Sequence, residues 1–147
     1  MRRILLDTSV YIQVLRRPQS AAVLDKLATG AALWLSAVVL AELYAGARGY
    51  ERRVVGRLGS AFQAAERMVV PDLEDWLQTG LVLAALGERY GYEQIGRGRL
   101  TNDALIAVSA ARHGLTVLTV NRRDFSRLAE FSAVRWELVA FGELPHA

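Results

Sequence analysis

The sequence contains no cysteine, two histidines and a single lysine, Lys26. Without cysteine, a thiolate zinc site and a catalytic thiol are both excluded. His113 and His146 are too few for a metal site built from histidines. Any bound metal must therefore be held mainly by oxygen ligands, which favour Mg²⁺, Mn²⁺ or Ca²⁺.

The sequence also lacks a long uninterrupted apolar run. The longest run, residues 31–41, is interrupted by Ser36 and ends at Glu42, well short of the ~20 residues that a transmembrane helix requires. At the N-terminus, Asp7 ends the first apolar stretch too early for a signal peptide. We therefore expect a cytoplasmic protein that makes no membrane contact.

The composition is typical of one folded domain. The chain has 147 residues, of which 52% are hydrophobic and 22% charged, enough apolar surface to build a core. The net charge is +3, and every basic residue except Lys26 is an arginine. Because arginine binds phosphate through a planar, two-pronged group, this bias suggests a nucleic-acid partner.

Short apolar runs alternate with helical patterns along the chain. This alternation predicts a single α/β domain, residues 1–147, with a parallel sheet of four to five strands covered by helices on both faces. We expect Thr8, Ser36 and Asp72 to cap helices, and Thr101 or Asn102 to begin a later one. Leu73, Trp76, Leu77, Leu81 and Ala84 recur at helical spacing. The predicted strands are residues 3–7, 32–35, 68–70 and 116–120, with an edge strand at 134–136.

Two acids follow predicted strands. Asp7 ends the first strand, and Asp124 follows the strand 116–120 by a short turn. Because ligands bind at the carboxyl ends of parallel strands, both acids are candidates for a functional site. Two local roles remain open: Asp7 as an N-cap, which Thr8 or Ser9 can equally supply, and Asp124 as a turn or cap residue.

Two further acids lie on apolar helix faces. The helical neighbours of Glu42 are all apolar or small, so its side chain should point towards the sheet. Burying even a neutral polar group without a partner costs on the order of 2–7 kcal/mol, so a metal, a shared proton or an arginine must compensate. Asp103 also shares a face with Ile106 and Ala107. Its local alternative is a first-turn aspartate stabilised by the helix dipole.

Together, Asp7, Glu42, Asp103 and Asp124 form one hypothesis: a cluster of acids at one edge of the sheet. Four anions in one crevice repel one another unless cations or protons compensate. Mg²⁺ or Mn²⁺ fits, because both prefer carboxylate and water ligands. Such a site can activate water and stabilise the charges that develop in phosphodiester hydrolysis.

Four segments carry a resemblance to a known family. They are Ile4-Leu5-Leu6-Asp7-Thr8-Ser9, Leu35-Ser36 through Ala41-Glu42-Leu43-Tyr44-Ala45-Gly46, Asn102-Asp103-Ala104-Leu105-Ile106-Ala107, and Leu118-Thr119-Val120-Asn121-Arg122-Arg123-Asp124-Phe125. Because these four segments occur in this order, the chain resembles the PIN-domain nucleases, and most closely the VapC-type toxins of bacterial toxin–antitoxin pairs.

The resemblance implies a Mg²⁺-dependent endoribonuclease on a three-layer α/β/α fold. It implies that Asp7 and Asp103 are the principal metal ligands, that Glu42 completes the metal sphere, and that Asp124 is the fourth catalytic acid. Thr119 and Asn121, together with Thr8 and Ser9, match supporting positions. Asn121 stands where many PIN domains have a further Asp, which leaves occupancy by a second metal open.

The resemblance also implies partners: a small antitoxin protein that blocks the groove, and a second copy of the chain in a homodimer. Arg97 and Arg99 precede the predicted Asp103 helix, where they either contact RNA phosphates or are solvated loop charges. Two rival functions remain: a housekeeping PIN nuclease in RNA maturation or DNA processing, and a non-catalytic nucleic-acid-binding module.

Overall fold

The computed structural model describes residues 1–95 and 98–141 of the chain. In these ranges it contains one five-stranded sheet with the strand order β3-β2-β1-β4-β5, and all neighbouring strands are parallel. The strands are β1 (Arg2–Leu6), β2 (Ala31–Ser36), β3 (Met68–Val69), β4 (Thr116–Thr119) and β5 (Arg135–Leu138). The predicted α/β class is confirmed, and the predicted edge strand is β5.

Seven α-helices within the same ranges connect and cover the strands. Two short 3₁₀ turns, Pro18–Ser20 and Tyr92–Gln94, join pairs of them. The helices are α1 (Thr8–Arg16), α2 (Ala21–Ala28), α3 (Ala37–Gly46), α4 (Glu51–Ala64), α5 (Leu73–Tyr90), α6 (Gly98–Arg112) and α7 (Arg122–Phe131).

The helices lie on both faces of the sheet. On one face, Ile4 and Leu33 line a small apolar cavity with Leu24 of α2 and Phe62 of α4. Because neighbouring side chains in a strand alternate between faces, Trp34 points the other way. Its ring stacks on His113, just beyond α6, with ring centroids 6.4 Å apart. The sheet therefore forms the middle of three layers.

Helix caps explain where two of the helices begin. Ser36 accepts a hydrogen bond from the Val38 N–H at the start of α3, and Asp72 and Asp75 form a reciprocal capping box at the start of α5. Both predicted caps are confirmed. The predicted Thr8 cap is wrong: the N-cap position of α1 is Asp7, and Thr8 is already helical.

The start of α6 also differs from the sequence prediction. The helix begins at Gly98, not at Thr101 or Asn102, so Asp103 lies beyond the first turn. The helix dipole acts mainly within that turn. The local alternative, a first-turn aspartate stabilised by the helix dipole, is therefore wrong for Asp103.

The apolar stripe of α5 has the predicted helical spacing but does not face the core. Leu73, Trp76, Leu77 and Leu81 are all more than half exposed. The buried face of α5 instead carries Asp75, Thr79, Val82, Leu86 and Gly87. Periodicity alone identifies a helix with an apolar side, and here the packed side contains a charged residue.

That charged residue joins α5 to α6. The Asp75 side chain is 1% exposed and accepts hydrogen bonds from Arg112 Nε and Nη2, each at 2.8 Å. Burial by itself raises the pKa of Asp75, but the hydrogen bonds from Arg112 and from the Asp72 N–H outweigh it and hold this pKa below its usual range.

Within the described ranges, no helix is both long enough and apolar enough to cross a membrane.

We expect Arg112→Ala to lower the free energy of unfolding by roughly 2 kcal/mol at pH 7, because it leaves a buried carboxylate without its partner. Because the folded-state pKa of Asp75 is depressed, the stabilisation is present above the unfolded pKa of about 3.9 and is lost as the pH falls below it. Urea unfolding from pH 7 to pH 3 measures both effects. Arg67→Ala, at an exposed position, is the control, and an equal loss in both variants would contradict the prediction.

Candidate active site

A cleft of about 640 Å³ opens where β1 and β4 end. Parallel strands bring these carboxyl ends to the same edge of the sheet, and helices α1, α3 and α6 supply the walls. Three of the four predicted acids line the cleft: Asp7, Glu42 and Asp103. The remaining lining residues are Thr8, Ser9, Ile12, Gln13, Arg16, Arg17, Arg99 and Val120.

Asp7 is held by hydroxyl groups. Its side chain is 3% exposed, and its Oδ2 accepts hydrogen bonds from Ser9 Oγ at 2.8 Å and Thr119 Oγ1 at 2.7 Å. Although Asp7 occupies the N-cap position of α1, its side chain makes no capping hydrogen bond. Its carboxylate is therefore directed into the cleft rather than to the helix end.

The two hydroxyl groups that hold Asp7 are themselves fixed by the backbone. The Val120 N–H donates to Ser9 Oγ at 3.2 Å, and the Asn121 N–H donates to Thr119 Oγ1 at 2.9 Å. Each hydroxyl oxygen therefore accepts a hydrogen bond from a backbone N–H, and each hydroxyl donates its own proton to the Asp7 carboxylate. This arrangement fixes the Asp7 side chain in one orientation without a cation.

Glu42 is partly buried and accepts a hydrogen bond from Thr8 Oγ1 at 2.7 Å. This contact ties α1 to α3 and explains why Thr8 does not cap its own helix. The alternative of a buried ion pair between Glu42 and an arginine is not found in residues 1–95 and 98–141. The Glu42 carboxylate is thus aligned by a hydroxyl group rather than by an arginine of the described residues.

Asp103 is the most strongly perturbed of the acids. It is 4% exposed, and its Oδ2 has no hydrogen-bond partner within the described part of the chain. Burial, followed by repulsion from Asp7, Asp124 and Glu42, raises the pKa of Asp103 to about 8, and Arg99 opposes the shift. A buried carboxyl oxygen without a partner is the kind of group that a cation or a proton must satisfy.

Asp124 has a local role. Asn121 Nδ2 donates to Asp124 Oδ2 at 2.8 Å, and the Asp124 N–H donates to Asn121 Oδ1 at 3.3 Å. This reciprocal pair begins α7, with Asn121 at the N-cap position and Asp124 in the first turn. Asp124 does not line the cleft, yet its charge contributes to the raised pKa of Asp103. It therefore acts on the site electrostatically.

The acids of the cleft meet part of the ligand requirement of a hard divalent cation such as Mg²⁺. As placed, no three Asp, Glu or His side chains in residues 1–95 and 98–141 form a ready-made cluster for a metal ion. Mg²⁺, however, is usually bound through one or two carboxylates and keeps several water ligands. Asp7 and Asp103, one of them with an oxygen that lacks a partner, meet that smaller requirement.

Three arginines line the cleft, and two of them were not predicted from the sequence. Arg99 was predicted, and it lies at the cleft in the first turn of α6, whereas Arg97 is outside the described residues. Arg16 and Arg17, at the end of α1, were not predicted. Their signal was helical spacing, because Arg16 follows Ser9 by seven residues and so lies on the same face of α1.

Comparisons with known proteins show relatives of this fold. Residues 4–131 match the model of the PIN domain family. The fold is similar to a DNA-bound VapBC from Salmonella typhimurium, with 25% identity, a TM-score of 0.67, and coverage of 94% of this chain and 98% of that one. No curated protein sequence matches this chain.

Two other solved structures are similar over most of their length. VapBC-5 from Mycobacterium tuberculosis, described as a member of a family of toxin–antitoxin systems, has 26% identity and a TM-score of 0.61, and the match covers 95% of this chain and 100% of that one. FitAcB from Neisseria gonorrhoeae has 28% identity and a TM-score of 0.58, with coverage of 90% and 95%.

We expect Asp103→Asn to leave the metal-free protein at least as stable as the wild type, with a gain of about 1 kcal/mol. At pH 7.5 the wild type must either take up a proton at Asp103 on folding or bear repulsion from the neighbouring acids, whereas Asn keeps the shape and needs neither. Chemical unfolding in EDTA at pH 7.5 measures this. Asp25→Asn, at an exposed position of α2, is the matched control and should change nothing. A loss of stability in Asp103→Asn would show that its charge is compensated in the folded protein.

Proposed function

The chain belongs to the PIN domain family, and we propose that it is a metal-dependent endoribonuclease that acts as the toxin of a toxin–antitoxin pair. The observation that carries the proposal is the cleft that Asp7, Glu42 and Asp103 line without a salt bridge to any basic side chain among the described residues. A structural role would favour paired acids, whereas a nuclease site needs carboxylates that are available to a metal.

Asp7 and Asp103 are the residues that would hold Mg²⁺ or Mn²⁺. When bound, such a cation lowers the pKa of water and offsets negative charge on a phosphodiester. Ser9 and Thr119 keep the Asp7 carboxylate in place through their hydroxyl protons. Thr8 orients Glu42, which is then available to accept a hydrogen bond from water at the edge of the site.

The role proposed for Asp124 is indirect. Its Oδ2 is engaged by Asn121, and its charge favours a cation near Asp103. Asn121 takes part in this pair through both ends of its amide, as a supporting residue. Arg99 supplies positive charge near Asp103 and is placed to contact a phosphate of the substrate. The preference for RNA is inferred from the similarity to VapC-type toxins.

A groove beside the cleft, lined by both apolar and charged side chains, supports the antitoxin part of the proposal. It has a volume of about 240 Å³ and shares Ile12, Arg16 and Glu42 with the acidic cleft. Tyr50 on its rim is 76% exposed and Leu15 is 51% exposed. A partner chain that fills this groove would extend over Glu42 and block the cleft. The homodimer implied by the resemblance stays a prediction.

We expect purified protein, freed of copurifying partners, to cut a mixture of tRNA, rRNA and mRNA into discrete fragments with Mg²⁺ or Mn²⁺, and not with EDTA. Asp7→Asn and Asp103→Asn should each lower the rate about 100-fold or more, because each removes a negative charge needed at the metal. Gel analysis of the fragments measures this. Asp25→Asn controls for the substitution itself. Cleavage that survives in both site variants would reject the assignment.

Expression of the wild-type chain without a partner protein should arrest growth of the host, and expression of Asp103→Asn should not. Co-expression of the small protein encoded beside it should restore growth and form a complex that survives purification. A housekeeping nuclease would cleave RNA in vitro without arresting growth. Growth counts and size-exclusion chromatography distinguish these results.

A further inference from the structure

Helix α1 presents two different faces. Val10 and Tyr11 are buried in the core. The opposite face lines the cleft, and Ser9, Gln13 and Arg16 follow one another on it at helical spacing. The helix therefore begins at the acids, through Thr8 and Ser9, and ends at a pair of arginines, Arg16 and Arg17.

The two arginines are not compensated by the acids. Both are exposed and line the same cleft as Asp7, Glu42 and Asp103, yet within residues 1–95 and 98–141 neither forms a salt bridge. A basic residue near a helix C-terminus stabilises the helix locally. That effect does not account for two adjacent arginines whose side chains both line an acidic cleft.

The position of the pair is fixed by the backbone. The Arg17 N–H donates to the Gln13 carbonyl at 2.9 Å, and the Ser20 N–H donates to the Arg17 carbonyl at 2.8 Å. With a rise of 1.5 Å per residue, Arg16 lies about 12 Å along the axis of α1 from Thr8. From this end of the helix, the two side chains are placed to meet a phosphate farther along a bound RNA chain than the phosphate at the acids.

We propose that Arg16 and Arg17 form a phosphate-binding subsite for the part of a single-stranded RNA chain that flanks the scissile bond. The proposal rests on the proposed nuclease function. It adds that the charges in the cleft are separated along α1, with carboxyl groups at the start of the helix and guanidinium groups at its end. Each guanidinium can donate two parallel hydrogen bonds to phosphate oxygens. The pair thus binds and orients the strand without taking part in the chemistry.

The test measures binding separately from cleavage. A short fluorescent single-stranded RNA is titrated with the Asp103→Asn protein in Mg²⁺, alone and combined with Arg16→Gln and Arg17→Gln, across a range of salt concentrations. Arg52→Gln with Arg53→Gln, an adjacent pair on the exposed side of α4, removes the same charge elsewhere. An oligonucleotide of the same sequence with uncharged methylphosphonate linkages is the second probe.

We expect the Arg16 and Arg17 substitutions together to weaken RNA binding about tenfold or more. They should also lower the slope of log affinity against log salt concentration by about 1.4, because two phosphate contacts are lost and roughly 0.7 is expected per contact. The control pair should change affinity by much less, and the methylphosphonate probe should be insensitive to the substitutions. Equal losses from both pairs would mean a diffuse charge effect and overturn the subsite. Unchanged affinity, or no RNA binding by the Asp103→Asn protein, would also overturn it.

Cleavage kinetics give an independent result. In the otherwise wild-type chain, the two substitutions should raise KM about tenfold and leave kcat nearly unchanged, with a smaller effect on substrates too short to reach α1's end. A fall in kcat at constant KM would overturn the proposal. Absence of RNA cleavage by the wild type would reject the nuclease function, while the binding results would still decide on the subsite.

Discussion

Negative charge buried at the end of a parallel sheet is the constraint on which this structure depends. β1 delivers Asp7, and α6 delivers Asp103, to positions where both side chains are almost excluded from solvent. Carboxylates in such surroundings repel each other and lose hydration. The folded protein tolerates them because hydroxyl protons serve Asp7 and because the raised pKa of Asp103 allows a bound proton in place of a cation.

The surrounding elements are arranged around this constraint. At the start of α1, the Thr8 hydroxyl donates a hydrogen bond to Glu42 and the Ser9 hydroxyl donates one to Asp7, so neither hydroxyl caps the helix. The same helix then continues along the cleft to Arg16 and Arg17. One short helix thus contributes acid-orienting groups, a core face and basic residues. The Asp75–Arg112 pair is a contrast, because there an acid is buried with its partner and serves only to join α5 to α6.

Much of the architecture could be predicted from local patterns. Apolar runs located the strands, and Ser36 and Asp72 marked helix starts, because capping depends on residues a few positions apart. The errors arose because such patterns report only on residues that are close together in the sequence. α6 begins at Gly98 rather than at Thr101 or Asn102, and the apolar stripe of α5 faces outward. Periodicity detects a helix but does not report which neighbour, if any, covers its apolar side.

The sequence by itself determined that any metal must be held by oxygen, and it identified Asp7, Glu42, Asp103 and Asp124 as the acids to consider, because residue types and spacing limit the available chemistry. Only the tertiary structure decided how these acids differ. Asp7 is fixed by Thr119, a residue distant in sequence, Asp124 is engaged by Asn121, and Asp103 has an oxygen without a partner in the described chain. Such differences, and the presence of Arg16 and Arg17 in the cleft, arise from contacts between distant segments, which only folding brings together.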